Sequence, residues 1–343
     1  MRRLGGAEYH PGVTRVVITR RIHPEALEVL DWAALPFRTV GADGPVDAER
    51  LRSEVRGAEA LICILGDRID AGVLDAAPGL RIVANVAVGY DNVDLPAATA
   101  RGVVVTNTPG VLTESTADLT FALLLAVARR VAEGDRLVRA GGLRPWDVLP
   151  DGLGLDVHGR TLGIVGMGRI GAAVARRGAL GFGMRVLYTA RSRKEEVERV
   201  LGARPAPLAE LLRASDFVTL HVPGSEETRA LVSLPQLRAM KRTAFLINTS
   251  RGPVVREADL VQALEEGAIR GAGLDVYEDE PRVHPRLLEL ADRTVLLPHI
   301  GSATEETRKR MSILAAENVV AALAGKLPPN AVNPEALQRR GQI

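Results

Sequence analysis

Two doubly wound parallel sheets, an α/β architecture, are expected of this sequence, and three observations carry that expectation. Apolar runs of four to seven residues, bounded by Gly, Pro and Asp, recur along almost the whole chain; parallel strands covered on both faces require such runs. Helical patterns alternate with them, as in successive βαβ units. The runs also fall into two series, and 343 residues suffice for two domains with ordinary cores.

Taken in order, the first series places strands at residues 14–19, 60–64, 81–86 and 103–107. The turn-rich junction Asn107-Thr108-Pro109-Gly110 follows, and then a long helix over 114–130. The second series places strands at 161–166, 185–189, 216–222, 244–248, 271–276 and 294–297. A second junction, Pro298-His299-Ile300-Gly301-Ser302, leads into a helix over about 303–325. If that helix packs back on the first domain, the chain passes between the domains twice, and ligand sites favour the cleft so formed. The expected domains are therefore 1–110 with 300–343, and 111–299. No internal repeat or low-complexity segment is visible.

Composition narrows the class of function. Apolar residues make up 46% and charged residues 25%, with a net charge of only +2, the profile of a soluble enzyme-sized protein. No block of basic residues invites nucleic acid. The most apolar stretch, 119–128, is half the roughly 20 residues a bilayer crossing needs, so neither a membrane span nor a membrane partner is expected. Arg2-Arg3 has no apolar segment behind it, which argues against a secretory leader. The single cysteine, Cys63, lies in an apolar run and reads as a small buried hydrophobe in a reducing compartment, the cytoplasm.

Gly166-Met167-Gly168-Arg169-Ile170-Gly171 stands between a strand and a helical pattern, with another strand about 20 residues on. A bare GxGxxG would say little in a chain with 34 glycines; the strand–turn–helix context makes it a dinucleotide-binding turn. The first Gly makes the turn, the second admits the pyrophosphate, and the third lets helix and strand pack closely. The helix start, at Arg169 and Ile170, offers free N–H groups to the anion. An NAD site usually ends the next strand in Asp or Glu. Here the strand runs into Ala190-Arg191-Ser192-Arg193-Lys194, three cations and a hydroxyl where a 2′-phosphate would sit. NADP(H) is expected as the preferred cofactor, with NAD(H) possible; the other reading is a solvated basic turn.

Three later segments each begin where a strand ends: Asn248-Thr249-Ser250-Arg251-Gly252, Gly273-Leu274-Asp275-Val276 with Glu278-Asp279-Glu280-Pro281, and Pro298-His299-Ile300-Gly301. Open α/β sheets bind ligands at that edge. Arg251, Glu280 and His299 arriving there would suit carbonyl reduction. Negative charge grows on the carbonyl oxygen, and a His can protonate it near neutral pH. A guanidinium can grip carboxylate and carbonyl oxygens with paired donors, and a carboxylate beside the His favours its charged form. His221, at the end of the 216–222 strand, is the competing acid. His23, His158 and His284 lack partners at ligand spacing, and Asp91 and Asp94 fit a turn, so no metal is expected. Glu114 and Asp118 read as a helix start and its polar face.

These segments resemble those of the D-isomer-specific 2-hydroxyacid dehydrogenases, from about Val13 to Asn333. The resemblance implies a flavodoxin-like substrate domain, a Rossmann cofactor domain and a cleft between them. It puts the catalytic set on Arg251, Glu280 and His299. It also implies that backbone N–H groups of Val88 and Gly89, in Val88-Gly89-Tyr90-Asp91-Asn92-Val93-Asp94, hold the substrate carboxylate, together with Arg251 and His299. Pro223, Thr249, Asp275, His299 and Gly301 would join the Gly-rich loop and residues 190–193 around the cofactor, Asp275 on the nicotinamide amide. Within the family the basic turn is similar to that of glyoxylate/hydroxypyruvate reductases, although Ala190 stands where those tend to carry Ser. Trp146 resembles a Trp that reaches the substrate pocket of a partner subunit; a packed arm residue is the other reading. The implied activity is reduction of a small 2-keto acid by a homodimer. A short-form D-3-phosphoglycerate dehydrogenase and a dinucleotide-sensing corepressor remain the alternatives.

Overall fold

A computed structural model describes residues 14–41, 46–148 and 152–339. The chain forms two compact units. One runs up to Leu112 and resumes at Ala303; the other spans 113–302.

The first unit holds strands β1 (Val16–Ile18), β2 (Phe37–Thr39), β3 (Ala60–Cys63), β4 (Ile82–Asn85) and β5 (Val104–Thr106). They pair in parallel in the order β2-β1-β3-β4-β5, the flavodoxin-like order. Val17, Leu61, Val83 and Val105 are in register and share one buried cluster with Leu51, Val73 and Leu74. The helix Glu305–Leu323 packs on β3, β4 and the helix Pro24–Trp32. Asp94 caps the helix Leu95–Ala100 by accepting from Ala97 N at 2.9 Å, a turn role rather than a ligand role.

The second unit holds β6 (Thr161–Val165), β7 (Arg185–Thr189), β8 (Arg204–Pro205), β9 (Phe217–Leu220), β10 (Phe245–Asn248), β11 (Gly271–Leu274) and β12 (Thr294–Leu296). All are parallel, in the order β12-β11-β10-β9-β6-β7-β8. This is the Rossmann order with one further strand at the β11 edge. Winding reverses between β6 and β9, so a ligand crevice opens at their carboxyl ends. Stacked rings of Phe217 and Phe245, 5.6 Å apart, bridge β9 and β10.

Two strands were not foreseen, and both are edges. β2 is only half-buried and reads Phe-Arg-Thr. β8 is two exposed residues that include Pro205. Edge strands need no continuous apolar run and tolerate proline. The helix Thr113–Ala128 lies against β10, β11, β12 and the helix Arg169–Arg176. Its own unit therefore buries most of its apolar length; Leu119, Ala122 and Leu125 keep some exposure. The helix Val131–Arg139 that follows has no buried residue. Among the described residues, no helix is long and apolar enough to cross a membrane.

Candidate active site

The Gly-rich turn has the geometry a pyrophosphate needs. Gly166 has φ +98°, and a Cβ there would lie 2.5 Å from His221 O. At Gly171 a Cβ would lie 2.2 Å from Gly166 O, so the third glycine lets the helix close on the turn. At Gly168 a Cβ would meet nothing within 4 Å. Gly168 also caps the helix Arg169–Arg176 with no side-chain hydrogen bond, so the first N–H groups stay available. One glycine makes the turn, one packs, and the middle one leaves room for an anion. A dinucleotide fits this cradle.

Past the end of β7 lies a cavity of about 320 Å³, walled by Thr189, Ala190, Ser192, Arg193 and the 205–207 segment. Arg193 is not free to point into it. Its guanidinium forks onto Glu198, with Nε 3.2 Å from Oε1 and NH2 on Oε2. Lys194 donates to Ser192 Oγ at 3.1 Å. Arg191 is exposed, and no hydrogen bond or ion pair holds it among the described residues.

After β10, the segment carrying Arg251 folds around Asn248, which is buried. Asn248 Oδ1 accepts from Ser250 N at 3.0 Å and from Ser250 Oγ at 2.8 Å, and its Nδ2 donates to Arg251 O at 3.0 Å. Arg251 NH1 donates to Ser250 O at 2.8 Å. Gly252 lies so close to the next strand's loop that a Cβ would come within 1.6 Å of Tyr277 O. Thr249 Oγ1 sits 2.9 Å from Thr120 Oγ1.

Three acidic residues are consecutive in the loop after β11, Glu278, Asp279 and Glu280, and geometry separates them. Glu278 Oε2 accepts from Glu257 N at 2.9 Å, while Glu257 accepts from Glu278 N at 2.6 Å, so Glu278 ties the loop to the helix Glu257–Glu265. Asp279 pairs with Arg282 at the surface. Glu280 accepts from Tyr277 N at 3.0 Å through Oε1 and meets His299 Nδ1 at 2.8 Å through Oε2. Burial raises the Glu280 pKa, but the hydrogen bond and charge of His299, the Tyr277 N–H and the Arg251 charge outweigh it and leave the group below its ordinary value. With Nδ1 engaged, His299 Nε2 has no protein partner among the described residues.

Asp275, at the end of β11, accepts from Ile300 N and Gly301 N, both at 2.8 Å. It is buried, and desolvation lifts its pKa against those two bonds. Both carboxylate oxygens thus pin the turn in which His299 takes the left-handed conformation, φ +56°. Tyr277 OH donates to Leu297 O at 2.8 Å and steadies the same segment. His221 pairs with Thr219 Oγ1 at 2.9 Å, and burial lowers its pKa to about 3. A neutral ring at pH 7 has no proton to give from a charged form. Pro223 O accepts from Thr228 Oγ1 at 2.7 Å in the loop after β9.

In the first unit, Asn85 Nδ2 donates to Gly89 O at 2.8 Å and Asn107 Nδ2 to Val88 O at 2.7 Å. The carbonyls of Val88 and Gly89 are thereby fixed, and no acceptor among the described residues takes their N–H groups. Trp146 is 87% exposed among the described residues. The roles of Asn248, Gly252, Tyr277, Tyr188 and Glu198 are not visible in the sequence. An Asn ending a strand and a Gly following the Arg could have pointed to the first two. No three His, Cys, Asp or Glu side chains converge as a metal set among the described residues.

Comparison with known proteins agrees with this geometry. Residues 121–301 match the family described as D-isomer specific 2-hydroxyacid dehydrogenase, NAD binding domain. A glyoxylate reductase of Korarchaeum cryptofilum is 52% identical over 95% of this chain and 98% of its own. One from Pyrococcus horikoshii is 50% identical over 95% and 98%. Among solved structures, the NADPH-dependent glyoxylate/hydroxypyruvate reductase of Sinorhizobium meliloti, in complex with NADP and malonate, superposes with a TM-score of 0.81. It is 36% identical and covers 95% of this chain and 98% of its own. A D-lactate dehydrogenase of Aquifex aeolicus, complexed with NAD and lactic acid, gives 0.81 at 30% identity, covering 93% and 99%. With its Rossmann sheet, its Gly-rich turn and a His–Glu pair at the strand ends, the chain is an oxidoreductase that belongs to the D-isomer-specific 2-hydroxyacid dehydrogenase family.

Proposed function

We propose that this chain reduces a small 2-keto acid, glyoxylate or hydroxypyruvate, to the D-2-hydroxy acid, with NADPH preferred over NADH. The observation that carries the reading is the 2.8 Å contact between His299 Nδ1 and Glu280 Oε2 at the strand-end edge that also bears Arg251 and the Gly-rich turn. Glyoxylate reductases about half identical over 95% of the chain support the substrate.

When bound, the nicotinamide supplies the hydride to the keto carbon. His299 delivers the proton to the carbonyl oxygen from Nε2, since Nδ1 is held by Glu280. Glu280 orients the ring through its contact with Nδ1. Arg251 binds the oxygens of the keto acid, so its charge stabilises the negative charge that grows as the carbonyl is reduced. Val88 and Gly89 hold the substrate carboxylate through their unpaired N–H groups. Gly166, Gly168, Arg169, Ile170 and Gly171 hold the pyrophosphate. Pro223, Thr249 and Gly301 line the cofactor's path, and Asp275 serves it through the 299–301 turn and through spare lone pairs toward the nicotinamide amide. Residues 190–193 face the adenine ribose; a 2′-phosphate there would meet the Arg191 guanidinium, with Arg193 beside it paired to Glu198. The working form is a homodimer in the cytoplasm.

The test is a panel of glyoxylate, hydroxypyruvate, pyruvate and 3-phosphohydroxypyruvate, each with NADPH and NADH at one stated salt concentration. The highest kcat/KM is expected with glyoxylate or hydroxypyruvate and NADPH. A clear preference for 3-phosphohydroxypyruvate would overturn the substrate, and a preference for NADH would overturn the cofactor.

A further inference from the structure

The turn after β7 contains an ion-pair clamp. Tyr188 is buried at the end of the strand, and its hydroxyl lies between two partners. It donates to Glu198 Oε1 at 2.6 Å and accepts from Lys194 N at 2.8 Å. Glu198 is thus fixed from below by a buried phenol, and its carboxylate faces Arg193, which forks onto both oxygens. Arg193 is the one guanidinium of this turn that walls the cavity beyond Ala190.

We propose that Glu198 sets the strength of the preference for a 2′-phosphorylated dinucleotide, by holding and neutralising Arg193. This deepens the cofactor reading above and rests on it. A 2′-phosphate entering the cavity would find Arg193 with its Nε–H and one NH2 hydrogen committed to a carboxylate that offsets its charge, and only its other donors left to offer. Arg191 is left as the uncompensated guanidinium of the turn. Coulomb attraction at an exposed edge is weak, so losing one of two charges costs affinity without abolishing it. The chain consequently retains NADH as a workable cofactor, because the 2′-phosphate gains less here than two unpaired guanidinium groups would give it. The clamp does not loosen within any ordinary assay range. Hydrogen bonds from Arg193 and Tyr188 bring the Glu198 pKa down to about 2, so the carboxylate stays charged. Glu198 is a positioning residue; it acts through Arg193.

The experiment measures binding of 2′,5′-ADP and of 5′-AMP to the full chain by calorimetry, alongside kcat/KM for NADPH and NADH. In E198Q, affinity for 2′,5′-ADP is expected to rise about tenfold, while 5′-AMP changes less than about twofold, since only the phosphate senses the freed charge. Tyr188→Phe leaves Glu198 less firmly held and is expected to give a smaller gain of the same sign. Adding Arg193→Met to E198Q is expected to cancel the gain. Unchanged 2′,5′-ADP binding in E198Q would overturn the proposal. So would parallel shifts for both probes, which would mean a loosened turn, or a gain that survives Arg193→Met. The wild-type ratio of the two probes tests the cofactor reading separately: weaker binding of 2′,5′-ADP than of 5′-AMP would refute NADPH preference. The change of that ratio in E198Q would still decide the role of Glu198.

Discussion

At the scale of single residues, the site is defined by which charged groups are already spoken for. Glu278 is committed to a helix N-terminus and Asp279 to Arg282, and only Glu280 reaches the imidazole. Arg251→Ala is expected to lower kcat/KM by at least tenfold, since one charge-assisted contact contributes about 1.5–3 kcal/mol; normal turnover in a folded variant would remove it from the site. His299→Ala is expected to lose about 10²–10⁴-fold in rate, and a smaller loss would point to water as the proton source. Glu280 sits below its ordinary pKa and is an ionised acceptor for Nδ1 near neutral pH. As pH falls toward that lowered pKa the carboxylate takes up a proton, so reduction is expected to weaken at acid pH, and that acid limb is expected to vanish in Glu280→Gln, which does not titrate. An acid limb that survives the substitution would mean that Glu280 does not set it.

At the scale of elements, close backbone approach matters as much as charge. Gly252 lets the Arg251 segment lie against the loop that bears Glu280, and a Cβ would fall 1.8 Å from Tyr277 C. Gly252→Ala must push two backbones apart. The expected cost is about 1–3 kcal/mol, or a Tm lower by roughly 2–4 °C per kcal/mol, with a fall in kcat as Arg251 and Glu280 separate. Thermal melts and initial rates on one preparation check both halves. This contact also marks where sequence reasoning ends. Buried strands such as β6 and β10 were legible because each is a short unbroken apolar run, and the Gly-rich turn because its spacing follows from the anion it accommodates. β2 and β8 were not, because an edge strand is half-exposed and carries no periodic signature. Arg251, Glu280 and His299 were visible as residue types past strand ends, and the structure brings Glu280 and His299 into contact. What Asn248 and Tyr277 do was not, since a hydrogen bond between distant segments leaves no local pattern. Asp275 was expected beside the cofactor, whereas the geometry gives its oxygens to Ile300 and Gly301 first.

At the scale of the whole molecule, the second unit leaves an apolar arm uncovered. Leu143, Trp146 and Val148 are 76%, 87% and 68% exposed, beyond a helix that buries nothing of its own. Single exposed apolar residues are ordinary; a run of them on one segment marks an interaction surface. Self-association through this arm is expected to give a mass near twice 36.6 kDa by light scattering at micromolar concentration. Replacing Leu143 and Trp146 by Ser is expected to shift it toward the monomer, and a wild-type monomer would refute the dimer.

The chain leaves the first unit at Leu112 and returns at Ala303, which gives synthesis on the ribosome an order. The returning segment includes the helix over β3 and β4 as well as Asn333, whose Oδ1 accepts from Val105 N at 2.7 Å and whose Nδ2 donates to Val103 O at 3.0 Å. None of this exists when residues 1–112 emerge. The inserted unit ends at Ser302, so once that residue has emerged it can fold on the nascent chain while the first unit still waits for the helix Glu305–Leu323. In that interval β3 and β4 lack the cover that this later segment supplies, and a nascent chain halted there would carry a finished nucleotide-binding fold beside an unfinished one.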